Sequence, residues 1–585
     1  MDKELNYNFK LNKELNHTAS HILATAVLKL FPDTKLGFGP TTDEGFYYDF
    51  EFSKPITDSD LLKIEKQMKK IAAQNLKMQQ VSINEYSFTN QDYKKELYDQ
   101  YKSEGRNITF YSLKDSKDEN VFVDLCAGGH IDETKNIKHI KLLSLAGAYW
   151  RGNSDNIQLT RIYGTAWDSE QELENYLAIV QDRKERDHRK IGKQLNIFAF
   201  NPMAGQGFPI WLPNGMMIKN SIQQLVLKLD RKYGFTEVYT PPFGEESLYK
   251  TSGHLAHYRD DMFNPIVVEN EKLIPRPMTC PHHILIYKMA KRSYRDLPMR
   301  LSEQSRLYRY EKSGALTGLE RVRAMELTEG HIFIAQDQIR SEILHELKFI
   351  NEILNIFKIK IDYISLSLRG DDKEKYHNDD NMWQRAEKAL KDVLDEQGIK
   401  YKVKYGEAAF YGPKIDFQVK TVLNHEITMS TLQLDFLLPI RFDMQYVSSN
   451  GEYEQPILIH RGLIGTYERF ISILLEQTKG NLPFWISPLQ AVVIPLGDKQ
   501  FDYAKKVYDK LFELGINVKL DSRPESVAKK IREAQMNKAK YQIVIGDDEI
   551  EKNIISIREY GQQKTTEITV DELIKIFESK VKKYE

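Results

Sequence analysis

The sequence predicts a multidomain α+β and α/β protein: an N-terminal α+β region, a central antiparallel sheet carrying helices, and a C-terminal α/β unit. Three observations lead there. At 585 residues the chain is long enough for several domains. Between residues 195 and 482, strand and helix signals lack the regular alternation of a parallel sheet. From residue 483 onward they do alternate.

Taken in order, residues 17–30 read as a helix with Leu15, Ala19, Ile22, Leu23, Ala26, Val27 and Leu30 on one apolar stripe, ended by Pro32. The glycine-rich stretch 37–45 leads into FYYDFEF, which alternates as a strand does. Residues 171–195 form a long charged helical segment with no large apolar face after Val180, as expected of a solvated connector. A helix through Ile218, Ile222, Leu225, Val226, Leu229 and Tyr233 is capped by Gly234; the strand FTEVYT follows and is stopped by Pro241 and Pro242. In the last region AVVIPL, a helix over 499–514, INVKL, a basic helix over 527–540 and YQIVI make a small parallel-sheet unit. The expected domains are therefore 1–168, a helical linker 169–194, 195–482 and 483–585.

Hydrophobic residues make up 41% and charged residues 29%, enough for several cores in a soluble chain. No apolar run approaches the ~20 residues of a membrane span, and the N-terminus lacks the apolar core of a secretion signal. Two cysteines, Cys126 and Cys280, offer no disulfide framework and point to a reducing compartment, the cytoplasm. With 83 basic and 84 acidic side chains, the chain does not have the charge of a DNA-coating protein, although a local basic face remains open. Neither a membrane nor DNA is an expected partner.

Two groups of residues could carry chemistry. Cys280 lies in RPMTCPHH, His331 in EGHIFI and His460 in ILIHRG. A thiolate and two imidazoles form a catalytic zinc set that leaves a fourth position open. Their spacing alone does not select them from 14 histidines. In the second group, His17 and His21 are four apart and share a helical face, while Asp124, Cys126 and His130 stand in VDLCAGGH. By chemistry alone, three histidines and a cysteine suit a tetrahedral structural zinc.

The surrounding text resembles one family. RLYRYEKSGALTGLERVRAMELTEGHIF resembles motif 2 of class II aminoacyl-tRNA synthetases in its threonyl form, and LIHRGLIGTYERFISILLE resembles motif 3. RPMTCPHH is similar to the family's Pro-Met-Asn-Cys-Pro-x-His, and AFYGPKIDF, STLQLDF, RIYGTAW and RDHRKIGKQL match in the same order. The likeness runs from about residue 10 to 585, in the bacterial form.

That resemblance implies a cytoplasmic enzyme that uses ATP with Mg2+ to activate L-threonine as an adenylate and transfers it to tRNA(Thr). It implies that Arg309 clamps the α-phosphate and the attacking carboxylate, which a planar guanidinium can do together. Glu311 would accept from the adenine amino group, and Arg469 would hold the distal phosphate with help from Arg321. Zinc on Cys280, His331 and His460 would take the amino group and hydroxyl of threonine, with Met278, Glu329, Tyr411 and Gln433 lining the pocket. His254 matches a histidine implicated in deprotonating the terminal ribose, with one extra residue before Cys280.

A site that binds a hydroxyl can reject valine, which lacks one, by ~10⁴–10⁵; serine lacks only a methyl group, worth about 10–200-fold. A second, hydrolytic site is the remedy. The set His17, His21, Asp124, Cys126 and His130 resembles the editing domain of threonyl- and alanyl-tRNA synthetases, in which the threonyl type positions water for ester hydrolysis. Residues 215–243 resemble motif 1, which implies a homodimer. The C-terminal unit resembles an anticodon-binding domain, and Lys529, Lys530, Arg532 and Lys538 are candidates for the RNA backbone.

The sequence departs from the family at several points. It begins at the editing domain, without the small domain common before it. Leu327, Thr328, Glu329 and Gly330 replace Gln-Asp-Asp-Ala before His331; Thr428 replaces a glutamine near ATP; and Gly129 replaces a proline. Arg558, Glu559, Tyr560 and Gly561 shorten Arg-x-Arg-Arg-Gly. Two alternatives stay open: a synthetase that has lost editing, and a noncatalytic synthetase-derived RNA-binding regulator.

Overall fold

The protein is described here by a computed structural model covering residues 9–153, 155–372, 374–421 and 423–585. The chain divides into two compact units, 1–182 and 183–585.

The first unit is built on helix α1 (Lys13–Leu30), whose cap Asn12 accepts a hydrogen bond from the Leu15 amide, so the helix starts a turn before residue 17. The expected stripe is buried, except that Leu30 at the helix end is exposed. Strands β1 (Gly45–Glu51), β2 (Lys77–Val81), β3 (Phe110–Lys114), β4 (Asn120–Leu125), β5 (His139–Tyr149) and β6 (Gln158–Trp167) follow, with helices α2 (Asp58–Ala72) and α3 (Asp92–Ser103), and α4 (Glu170–Arg186) carries the chain across the boundary at 182. β1, β6 and β5 pair antiparallel in that order within a five-stranded sheet; β2, β3 and β4 form a second antiparallel sheet. α1 packs on α2, β1 and β6. One face of α1 thus feeds the core while His17 and His21 approach β4 and the loop after it.

The connector is not one solvated helix. It breaks at Asp187, whose carboxylate caps α5 (His188–Gln194) by accepting from the Arg189 amide. α5 buries His188, Ile191 and Gly192. The His188 ring accepts from the Leu319 amide at 3.1 Å and lies 2.8 Å from Glu476. A Cβ at Gly192 would sit 2.2 Å from the Phe198 ring. The buried face consists of a histidine, a glycine and one isoleucine, so apolar periodicity did not reveal it.

The second unit then runs α6 (Pro213–Lys232), β7 (Thr236–Glu237), α7 (Cys280–Lys288), β8 (Met299–Tyr308), β9 (Ala324–Ile334), α8 (Ile339–Ile356), β10 (Tyr363–Leu368), α9 (Asp380–Glu396), β11 (Tyr401–Tyr405), β12 (Lys414–Lys420), β13 (Glu426–Asp435), β14 (Ile457–Thr466) and α10 (Tyr467–Thr478). Its eight-stranded sheet has the order β7-β8-β9-β14-β13-β12-β10-β11. The sheet is antiparallel as expected, apart from parallel pairs β7–β8 and β10–β11. The strand expected over FTEVYT shrinks to two edge residues.

Helices α8, α9 and α10 cover one face of this sheet. Ile332, Leu434 and Ile459 point into that core and are fully buried, each contributing about 1.5–3 kcal/mol of hydrophobic stabilisation. Because side chains alternate along strands, their neighbours His331, Gln433 and His460 point to the opposite face. These three lie side by side: His331 pairs with His460, and His460 with Gln433.

The C-terminal sheet has the expected parallel core and extends it with two further strands. Its strands β15 (Ala491–Pro495), β16 (Val518–Leu520), β17 (Tyr541–Ile545), β18 (Ile555–Glu559) and β19 (Thr566–Ile568) are ordered β16-β15-β17-β18-β19. The first three are parallel, and β18 and β19 are antiparallel additions. The connection from β17 to β18 is shorter than the dozen or more residues that a parallel crossover needs. Helices α11 (Phe501–Glu513), α12 (Val527–Met536) and α13 (Val570–Lys583) complete the unit. Lys530, expected to face RNA, is 5% exposed. No described helix is long and apolar enough to cross a membrane.

Candidate functional site

The sheet face opposite the helices carries the first site. Cys280 opens α7 and is buried with His331 and His460, and the ligand atoms of all three lie within 4.8 Å of one another. His331 Nε2 is 3.1 Å from His460 Nδ1. The other nitrogen of His460 lies 2.9 Å from Asp435 Oδ2, and Asp435 Oδ1 already accepts from the Leu437 and Leu438 amides. A carboxylate only accepts, so His460 Nε2 donates and its Nδ1 presents a lone pair to His331. Burial holds His331 well below the ordinary histidine range, with His283 and His460 adding to it, so this imidazole is neutral. Burial pushes the Cys280 thiol well up, helped by Glu329 and Asp435. Two soft-to-borderline nitrogen donors and a sulfur around one point fit zinc.

The expected pocket residues gather here. Tyr411 stacks on His460 with ring centroids 4.8 Å apart, and its hydroxyl donates to Gln433 Oε1. Glu329 stands two residues before His331, on the same side of β9, and its buried Oε2 has no hydrogen-bond partner. His254 is fully buried; its Nε2 is 3.2 Å from Met278 Sδ and 3.6 Å from Cys280 Sγ, and its Nδ1 is 2.7 Å from Ser252 Oγ. Burial, with His460 and Arg309 nearby, takes its pKa down to about 3, which leaves a neutral ring. Thr428 donates to Gln418 Oε1 at 3.1 Å, so this departure is absorbed within the sheet.

Arg309, Arg321 and Arg469 converge beside this pocket. Burial lowers the Arg469 pKa, and Arg309 and Arg321 lower it further, the mark of gathered positive charge that suits a polyphosphate. Arg309 makes one long contact, Nε to Pro277 O at 3.4 Å. Arg469 Nε donates to Glu320 O at 3.2 Å. Arg321 Nε donates to Glu311 Oε2 at 2.7 Å, so the carboxylate expected to read adenine is engaged by a neighbouring arginine.

The second site belongs to the first unit. Cys126 Sγ lies 3.3 Å from His17 Nε2 and 3.2 Å from His130 Nε2, and the His17 and His130 rings stack at 4.2 Å. His21 Nδ1 is 3.9 Å from Asp124 Oδ2. A cavity of about 440 Å³ opens over His17, His21, Asp124 and Cys126. Burial pushes the Cys126 thiol up to about 12 and His130 down to about 2, and lowers His17. A neutral thiol among neutral imidazoles offers hydrogen-bonding groups for water rather than a thiolate nucleophile. Gly129 has φ 83°, out of reach of proline, so the loop takes its own path here.

Sequence reasoning missed several residues. Lys94, 2% exposed, donates to Asp124 Oδ1 at 2.5 Å, and Tyr48 donates to Asp124 Oδ2 at 2.6 Å. Lys94 lies in a lysine- and glutamate-rich helix that reads as solvated, so no pattern marked it. Asp435 and His283 were missed too, although both lie within or beside quoted motifs.

If the resemblance to an editing domain holds, replacing His21 or His130 by alanine should cut hydrolysis of seryl-tRNA at least ~10²-fold, the low end for positioned acid–base or water-orienting groups, with threonylation unchanged. Release of labelled serine from mischarged tRNA measures the first and tRNA charging the second.

Family models match three stretches of the chain: a class II tRNA synthetase core domain (G, H, P, S and T) at residues 263–478, an anticodon binding domain at 490–580, and the threonyl and alanyl tRNA synthetase second additional domain at 108–163. A threonine--tRNA ligase of Mycoplasmopsis pulmonis is 62% identical across 98% of this chain and 98% of its own length. One from Oceanobacillus iheyensis is 44% identical over 97% of this chain and 88% of its own. Among solved structures, the RNA binding domain of threonyl-tRNA synthetase from Cryptosporidium parvum superposes with a TM-score of 0.64 at 38% identity, covering 67% of this chain and 98% of its own.

Proposed function

Because the chain belongs to the threonyl-tRNA synthetase family, we propose a part for each residue of its two sites in the family's reactions. Those reactions are ATP-dependent activation of threonine, its transfer to tRNA(Thr), and hydrolysis of mischarged seryl-tRNA(Thr). ATP use brings Mg2+. Neither an editing-deficient enzyme nor a noncatalytic regulator finds support in the domains matched.

In activation, the threonine carboxylate attacks the α-phosphorus, the bond to the bridging oxygen breaks and pyrophosphate leaves. Arg309 spans the incoming carboxylate and the α-phosphate, and Arg469, with Arg321, steadies the departing phosphates. Glu311 meets the adenine amino group once Arg321 has turned to phosphate. Cys280, His331 and His460 would hold zinc, which would supply a Lewis-acid position for the amino group and hydroxyl of threonine. Tyr411, Gln433, Met278 and Glu329, through its unpaired Oε2, close around the amino acid. Neutral His254 takes the proton of the terminal ribose hydroxyl as the ester forms. At the second site, His17, His21, Cys126 and His130 orient water toward the seryl ester, while Lys94 and Tyr48 fix Asp124. The domains fall at 1–168 (editing), 169–194 (helical linker), 195–482 (catalytic) and 483–585 (anticodon), in a cytoplasmic enzyme that does not act on DNA.

The observation that supports this most strongly is the facing pair of imidazole nitrogens with Cys280 beside them, next to the arginines. ATP–pyrophosphate exchange tests it. Threonine should drive exchange, serine less and valine close to background; no exchange with any amino acid, from protein holding one zinc per chain, would overturn it.

The enzyme works as a homodimer through the region around α6. In the sequence around α6, Met203 is 97% exposed and Tyr239 81%, and Phe200, Ile210 and Met217 are exposed too, the kind of apolar exposure that a protein interface covers. Sedimentation equilibrium at micromolar protein should give twice the chain mass; a monomer would count against this face.

A further inference from the structure

One histidine beside the metal centre has no part in the roles above. His283, fully buried on α7, turns its Nδ1 to 2.9 Å from His331 Nδ1. Its Nε2 lies 3.1 Å from Glu303 Oε2. Glu303 is 1% exposed and doubly occupied: Arg276 Nη2 donates to Oε1 at 2.8 Å, and the Thr240 hydroxyl donates to Oε2 at 2.7 Å. Arg276, also 1% exposed, donates through Nη1 to Thr240 Oγ1 at 2.6 Å, which leaves the hydroxyl hydrogen for Glu303.

The hydrogens can be followed outward from there. A guanidinium has no acceptor, so Glu303 only accepts. His283 Nε2 must then carry a hydrogen and donate it. In a neutral ring the other nitrogen is bare, so His283 Nδ1 accepts, and His331 Nδ1 must carry the hydrogen it receives. That leaves His331 Nε2 bare, facing His460 Nδ1, which Asp435 has made bare from the other side.

We propose that His283 is a positioning residue for the metal centre: held by Glu303 and Arg276, it keeps His331 in the one tautomer and ring orientation that aims Nε2 at zinc. Groups that orient a ligating imidazole through its second nitrogen commonly change metal affinity by 10–100-fold when removed. Asp435 does for His460 what the Glu303–His283 pair does for His331, and the two ligands are thus set from opposite ends. This rests on the zinc reading of the site.

The test measures metal, not turnover. Zinc release to a chromophoric chelator and the visible absorption of the Co2+-substituted enzyme are recorded for the parent, Cys280→Ser, His283→Leu, His283→Gln and Glu303→Gln. His283→Leu should weaken zinc retention 10–100-fold and alter the cobalt bands. His283→Gln, whose amide can accept from His331 and donate to Glu303, should recover part of both. Glu303→Gln should resemble a milder His283→Leu; it keeps the volume, so it decides the matter if the leucine variant does not fold. Parent-like retention and cobalt spectra in Glu303→Gln and in whichever His283 variants fold would overturn the inference while leaving the zinc reading intact, provided Cys280→Ser loses the metal. A parent that binds no zinc would overturn both.

Discussion

Cys280→Ser, or the parent stripped of zinc, should lose most of its preference for threonine over valine. Valine matches threonine in shape, so an apolar pocket separates them poorly, whereas a site that must be completed by a hydroxyl separates them by ~10⁴–10⁵. On the reading proposed above, the hydroxyl's partners would be a metal on Cys280, His331 and His460, whose ligand atoms lie within 4.8 Å of one another, and Glu329, whose buried Oε2 is unpaired. A serine alcohol is a poor substitute for a thiolate, and the site should empty. Threonine-dependent pyrophosphate exchange is then expected to fall by at least ~10³-fold, and the threonine-to-valine ratio of kcat/KM toward ten or less, roughly what a partial pocket gives. If the ratio survives metal removal, the Tyr411–Gln433 pair selects threonine and zinc does not.

Arg309→Ala should lower kcat for exchange by ~10²–10³-fold, the usual cost of removing a donor aimed at developing charge. The protein should stay close to parent stability, because among the described residues the Arg309 side chain has one hydrogen bond, the long contact to Pro277 O. Arg309→Lys should recover little, since a single ammonium cannot span carboxylate and phosphate as a planar guanidinium can. Exchange kinetics with varied ATP and threonine, beside thermal melting, separate these outcomes: a fall in kcat with unchanged melting supports the clamp, and a rise in KM alone places Arg309 in ground-state binding only.

Much of this was legible in the chain. α1 announced itself by its apolar stripe, and the long motifs marked the residues that come together as the Cys280–His331–His460 cluster and the neighbouring arginines. The features that sequence hid share a cause: they depend on what a polar residue meets after folding. Lys94 is buried because Asp124 and Tyr48 wait for it, and α5 because His188 finds Glu476 and Leu319. Nothing local to those segments encodes these partners. The antiparallel additions to the C-terminal sheet were missed because β18 and β19 are short and largely polar, so apolar alternation does not mark them.

His331 and His460 are 129 residues apart in sequence yet neighbours across two paired strands. Their separation is therefore set by strand spacing, close to 4.8 Å in any sheet, and owes nothing to the length of chain between them. A loop there can grow with little penalty, about 0.6 kcal/mol for each doubling. Insertions at outward turns such as 450–451, both exposed, leave the ligand geometry untouched, so evolution could remodel the periphery of this enzyme while its amino-acid choice stays constant.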